Sequence, residues 1–217
     1  MDFFNLPKQT QVNKSIPKKS FDVYINSKQK KMFVDIIDKI KWTNKISTET
    51  INLEGKEISE IQIFQVALRK KENIKVLLEI IDKSIPYHII FVLTYENEVM
   101  LSVSQKHLHP TNVNNTVVDW TFKTEWSDNE VISYKLNLKE SLDFVVKDIC
   151  LQLSGKNEDA DLSLNEIVEK ESQIEKLEKE INKLKSQIKR TKQFNKKVEL
   201  NALLRQREME LNKNHTK

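Results

Sequence analysis

The run Glu60-Ile61-Gln62 opens an apolar stretch with a carboxylate and, one residue on, a carboxamide. A strand bearing Glu-x-Lys next to a preceding aspartate would hold a divalent cation and activate water for phosphodiester cleavage. Here Gln62 stands in place of the lysine, the stretch ends in Leu68-Arg69-Lys70, and no Asp lies on a clear preceding strand. The pattern fits a degenerate PD-(D/E)xK-like nuclease, set against the plainer role of a carboxylate at a strand edge. His107 and His109 are spaced to reach one metal from an extended strand, but no further ligand is spaced to complete the set, so a surface loop is expected. Asp82, Tyr87 and His88 read as the end of a helix against a sheet, and Glu125 with Trp126 as packing at a strand rim. Cys150, the single cysteine, sits beside Ile149 on an apolar face and reads as a small core residue; it can form no internal disulfide and no cysteine-based zinc site. With Gly55 and Gly155 the only glycines, neither a glycine-rich phosphate loop nor a GxSxG elbow can form. No catalytic residue, metal or cofactor is expected.

The other residues suited to binding chemistry are cations. Lys189, Arg190, Lys192, Lys196 and Lys197 follow Lys185 with no acidic residue until Glu199, and the N-terminal segment adds Lys14, Lys18 and Lys19. Such runs either neutralise the phosphates of DNA or RNA or form a solvated face that complements the acidic half of an antiparallel neighbour. Phe3, Phe4 and Leu6 either anchor in a partner's groove or pack on the protein's own sheet.

The elements that must position these groups divide the chain into an extended basic and aromatic arm (1–26), an α/β core (27–154), a linker (155–163) and a helical tail (164–213). Phe33, Ile36, Ile37 and Ile40 recur at helical spacing, so a helix starts at Ser27 as cap, with Trp42 closing its apolar face. The stretch from Glu60 alternates two apolar faces and predicts an interior strand. A helix follows with Ile74, Leu77, Leu78 and Ile81 on one stripe, ended by Pro86, and then the buried strand "HIIFVLTY". Strand, helix and strand make a βαβ unit, and Glu96-Asn97 turns the chain into an antiparallel hairpin. After the polar loop "HLHPTNVNN", "TVVDWTFKTEW" and "EVISYKLN" predict two more strands. The fold class is α/β (α+β), a mixed sheet of about five strands with flanking helices. A further helix, with Asn137 as cap and Glu140 three residues on, stops at Gly155.

In the tail, heptads counted from Ile167 place Ile174, Ile181 and Ile188 at a, with Leu177 and Leu184 at d, the combination that favours a parallel dimer. Continued without a slip, the seam turns polar at Thr191 and Asn195, where a buried amide would fix register. A single coiled-coil helix is therefore expected, with a homodimer through it as one outcome. Leu200, Leu203, Leu204 and Leu211 fall opposite Val198, so the helix end has two apolar faces, one of which meets the core or a partner. Phe194, Asn195, Leu200, Leu203 and Leu204 are the candidate contacts.

The 36 Lys and Arg against 32 Asp and Glu give a formal net charge of +4, too interspersed to imply nucleic acid by itself. No apolar stretch approaches the roughly 20 residues that span a bilayer, and Met1 to Asn13 lacks the order of a signal peptide. A cytoplasmic protein with no membrane contact is expected.

The blocks "FFNLPKQTQVNKSIPKKSF", "EIQIFQVALRKK", "LEIIDKSIPYHIIFVL", "FKTEW" and "KRTKQFNKKVELN", in that order, resemble an uncharacterised bacterial family known as domain of unknown function 4391. The resemblance covers nearly the whole chain. It implies an accessory protein of antiphage-defence or restriction-like systems, encoded beside helicases and DNA methyltransferases, and it carries over no catalytic residues. The expectation is a non-catalytic adaptor for such a partner, with a nucleic-acid-binding subunit as the alternative.

Overall fold

The polar stretch Gln11–Ile16 forms β1, antiparallel to the long strand β2, Ile37–Ser47. Between them lies α1, Ser27–Ile36, capped by Asn26, whose side chain accepts from the Gln29 N–H while the Gln29 side chain accepts from the Asn26 N–H. A short turn of helix, α2 (Thr48–Ile51), leads to β3, Glu60–Leu68. The chain continues through α3 (Ile74–Ser84), β4 (His88–Tyr95), β5 (Glu98–His109), β6 (Asn112–Lys123), the two-residue β7 (Ser127–Asp128) and α4 (Leu142–Ser154). This is a computed structural model; it describes residues 3–72, 74–128, 134–155 and 157–215. The chain divides into two compact units, Met1–Asp161 and Leu162–Lys217.

The first unit is built on a mixed seven-stranded sheet in the order β1-β2-β3-β4-β5-β6, with β7 pairing β5 beyond the end of β6. Among the described strands only β3 and β4 run parallel, joined by α3, as the predicted βαβ unit requires. On the α3 face Phe64, Val66, Ile89, Phe91 and Leu93 form one core with Leu77, Leu78 and Ile81 of the helix and Phe33 of α1. Alternation turns Ile61, Ile63 and Ile90 to the opposite face, where α4 packs against β3, β5 and β6.

Several expectations are corrected. The described sheet has seven strands rather than about five: the arm contributes β1, Ile37–Ser47, read as a helix up to Trp42 and as turns beyond it, is a strand, and Ser127–Asp128 adds β7. The cap of α1 is Asn26, not Ser27. The loop expected at His107–Asn115 is shorter: β5 runs to His109 and β6 starts at Asn112. Part of the strand expected in "EVISYKLN" lies outside the described residues, and Tyr134–Asn137 has no regular structure. Helix α4 begins at Leu142 with Ser141 as cap, its hydroxyl accepting from the Phe144 N–H; Asn137 instead donates to Asp148 at 2.8 Å. Gly155 ends α4 in the left-handed region (φ 68°), as a C-terminal glycine does.

Two polar devices tie helices to the sheet. The Asp143 carboxylate, in the first turn of α4, accepts the N–H groups of Lys56, Glu57 and Ile58 at 2.6, 3.0 and 3.2 Å. That turn is so tight that a Cβ on Gly55 would lie 2.0 Å from the Ile58 carbonyl oxygen. At the end of α3, Lys106 reaches in from β5. Its ammonium donates to the Asp82 carbonyl (2.8 Å), the Asp82 carboxylate (2.9 Å) and the Ile85 carbonyl (2.9 Å), with 1% and 2% of the two side chains exposed.

The second unit is a pair of helices, α5 (Leu164–Arg190) and α6 (Phe194–His215), separated by Thr191–Gln193. The single tail helix with an unbroken seam is thereby overturned. A connection of three residues between two helices that pack on each other turns α6 back along α5, and the ion pairs Arg207–Glu180 (2.9 Å) and Lys185–Glu208 (3.1 Å) bridge them. Among the described residues no helix is long and apolar enough to cross a membrane.

Candidate functional site

The reversal at Thr191 needs neither glycine nor proline. The Thr191 N–H (2.9 Å) and its hydroxyl (2.8 Å) both donate to the Gln187 carbonyl, which closes the last turn of α5. An extended Thr191 (φ −78°, ψ 122°) then leads the chain out of the helix. The polar residues read as a dimer seam, Thr191 and Asn195, thus lie at the turn and in the first turn of α6, where Asn195 is exposed.

The turn collects one sign of charge. Lys189 and Arg190 end α5, Lys192 is in the connection, and Lys196 and Lys197 lie in the first turn of α6; all five are exposed. Among the described residues none of the five has an acidic partner, whereas Lys185, four residues before Lys189, is paired with Glu208. Lys189 and Arg190 suit the negative end of the α5 dipole. Lys196 and Lys197 oppose the positive end of α6, each at a cost of about 0.3–1 kcal/mol, and α6 has no acidic residue in its first turn to offset them. The ordinary arrangement is present at the other helix start, where Ser163 and Glu166 form a capping box.

Helix α6 presents two apolar faces. Leu200, Leu204 and Leu211 are half-buried on one side, and the packing partner of that side is α5. At 100° per residue Phe194, Val198, Ala202 and Met209 share an arc of about 80° on the other side. There Phe194 is 77% exposed, Val198 54% and Met209 65%.

The remaining predicted residues divide by unit. In the first unit Leu6 is buried, while Phe3 and Phe4 are half-buried, with their rings 4.9 Å apart beside a small dent that Asn44, Ile63, Gln65 and Val92 also line. Lys14 and Lys19 are exposed. The Lys18 ammonium donates to the Ile37 carbonyl, and burial followed by the nearby Arg69 guanidinium lowers its pKa. In the tail, Phe194, Asn195 and Leu203 are exposed, while Leu200 and Leu204 are half-buried on the side towards α5.

The other candidate chemistry resolves into structure. Glu60 is buried, accepts from the Gln62 amide at 2.5 Å and pairs with Lys45 at 3.3 Å. His107 faces Asp119 (3.0 Å) and His109 accepts from the Thr111 N–H (3.3 Å). Among the described residues no group of three or more His, Cys, Asp or Glu side chains could hold a metal ion. Burial pushes the Cys150 thiol up, away from the reactive thiolate. Trp126 packs at the rim of the core, with the Lys71 ammonium 4.8 Å from its ring centroid.

Sequence reasoning missed the Lys106–Asp82 lock, because Lys106 stands in the polar stretch Ser104-Gln105-Lys106-His107, where nothing marks it as buried. The two apolar faces of α6 were legible, but which of them α5 covers was not.

The family model described as Domain of unknown function (DUF4391) matches residues 4–211. No curated protein and no solved structure matches the chain.

Proposed function

The chain belongs to the DUF4391 family, and we propose that it is a non-catalytic accessory subunit of a bacterial antiphage-defence or restriction-modification-like system, docking a cytoplasmic helicase or DNA methyltransferase. The observation that carries this reading is the outward face of α6. Phe194, Val198, Ala202 and Met209 form an apolar stripe that α5 leaves uncovered, with more than half of the Phe194, Val198 and Met209 surface in solvent. A helix laid into a partner's groove is recognised through anchors at this spacing.

The test is co-expression of the tagged chain with any helicase or methyltransferase genes that flank its own. The unmodified chain retains one of them through purification. The double variant Val198→Asp, Met209→Asp loses at least about tenfold of the recovered partner, as loss of anchor residues does, while its helix content is unchanged. Equal recovery by the variant, or no partner with the unmodified chain, would contradict the proposal.

A further inference from the structure

We infer that the tip of the α5–α6 hairpin binds the backbone of a single-stranded nucleic acid, with Phe194 stacking on an unpaired base. The tip brings Lys189, Arg190, Lys192, Lys196 and Lys197 into three adjoining segments within nine residues of sequence, with no acidic partner among the described residues. Two independent features point to an anionic ligand. First, Lys196 and Lys197 lie against the positive end of the α6 dipole and are unfavourable there unless an anion is bound. Second, Phe194, 77% exposed, falls between Lys192 and Lys196 in the sequence of the tip. An aromatic ring among backbone-binding cations is the combination that holds unpaired bases without reading their sequence. Duplex DNA offers the phosphates but no free base face, so the exposed ring favours a single strand.

This inference shares Phe194 with the docking reading but is tested apart from it, because the Val198→Asp, Met209→Asp variant leaves Phe194 and the five cations in place. The experiment is fluorescence anisotropy of the full-length chain with a labelled thymidine strand of about 20 nucleotides, long enough for more than one binding footprint, titrated over a salt series. Five phosphate contacts predict a log–log slope of roughly −3.5, which amounts to about a 100-fold loss of affinity between 50 and 200 mM salt. Replacing all five cations by Gln abolishes measurable binding. Replacing Lys28, Lys31, Lys39, Lys70 and Lys75 of the first unit, all exposed, matches the change in net charge and leaves binding within about threefold. Phe194→Ala weakens the single strand about tenfold or more and a duplex of the same length much less. Absence of binding at low salt, equal loss in the tip and control variants, or equal effects of Phe194→Ala on single strand and duplex would overturn the inference. Binding to phosphatidylserine vesicles without binding to the oligonucleotide would overturn it in favour of a membrane surface.

Discussion

Lys106→Met lowers the stability of the first unit by about 3–5 kcal/mol, the cost of removing one member of a buried ion pair. Burial pushes the Asp82 carboxyl up and the Lys106 ammonium down, each opposed by the attraction of the other. The ammonium also satisfies the carbonyls of Asp82 and Ile85, at and just beyond the end of α3, where the helix itself leaves acceptors unpaired. Methionine keeps the length and apolar stem of lysine but supplies no donor. Asp82→Asn is therefore milder than Lys106→Met, since the ammonium retains its two carbonyl acceptors. The three tryptophans, Trp42, Trp120 and Trp126, all lie in the first unit, so urea unfolding followed by their fluorescence reports that unit alone. A change below about 1 kcal/mol for Lys106→Met would show that the pair is dispensable.

His88 makes the first unit sensitive to acid. It is 8% exposed at the start of β4, with Nε2 3.3 Å from the Gln105 side-chain oxygen. Burial, and then the Lys106 charge, lower its pKa from 6.5 to about 4; the Gln105 contact and the Asp143 carboxylate act in the opposite sense. Between these values the unfolded chain takes up a proton that the folded chain refuses. The stabilisation is therefore complete above about pH 6.5 and is lost as the pH falls towards 4, by about 3 kcal/mol in all. His88→Gln lacks the proton site but keeps an amide for Gln105. The stability gap between the unmodified chain and this variant should shrink by about that amount from pH 7 to pH 4. A gap constant over this range would mean that His88 titrates alike folded and unfolded.

The order β3-α3-β4-β5 was legible because each element carries its own period and a physical stop, Pro86 after α3 and the Glu96-Asn97 turn before β5. β2 was not, since Ile36 ends α1 and Ile37 begins the strand with no breaker between them. A register shift between Ile37 and Lys39 then lets Ile37 and Ile40, three residues apart, both be buried in a strand. That spacing imitates a helix. β1 was hidden for a different reason: an edge strand with most of its side chains in solvent has no alternation to read. In the tail, heptad counting located the buried Ile174, Ile181 and Leu184 of α5. It then ran through a turn that is written in Thr191 hydrogen bonds rather than in glycine or proline. The basic cluster of the candidate site was thus legible as composition, while its placement at a hairpin tip required the three-dimensional fold.

Both functional readings rest on α6 turning back along α5 at Thr191–Gln193, which is what creates the cationic tip and leaves Phe194, Val198, Ala202 and Met209 facing outward. Spin labels at Lys176→Cys and Lys213→Cys, both exposed positions, in a chain carrying Cys150→Ala, measure that reversal directly. Antiparallel helices packed about 8–10 Å apart put the labels within about 30 Å of each other. A continuous helix would separate them by 37 residues, or about 55 Å at 1.5 Å per residue. A distance distribution centred below about 30 Å is the expected result; one centred near 55 Å would remove the hairpin and both sites built on it.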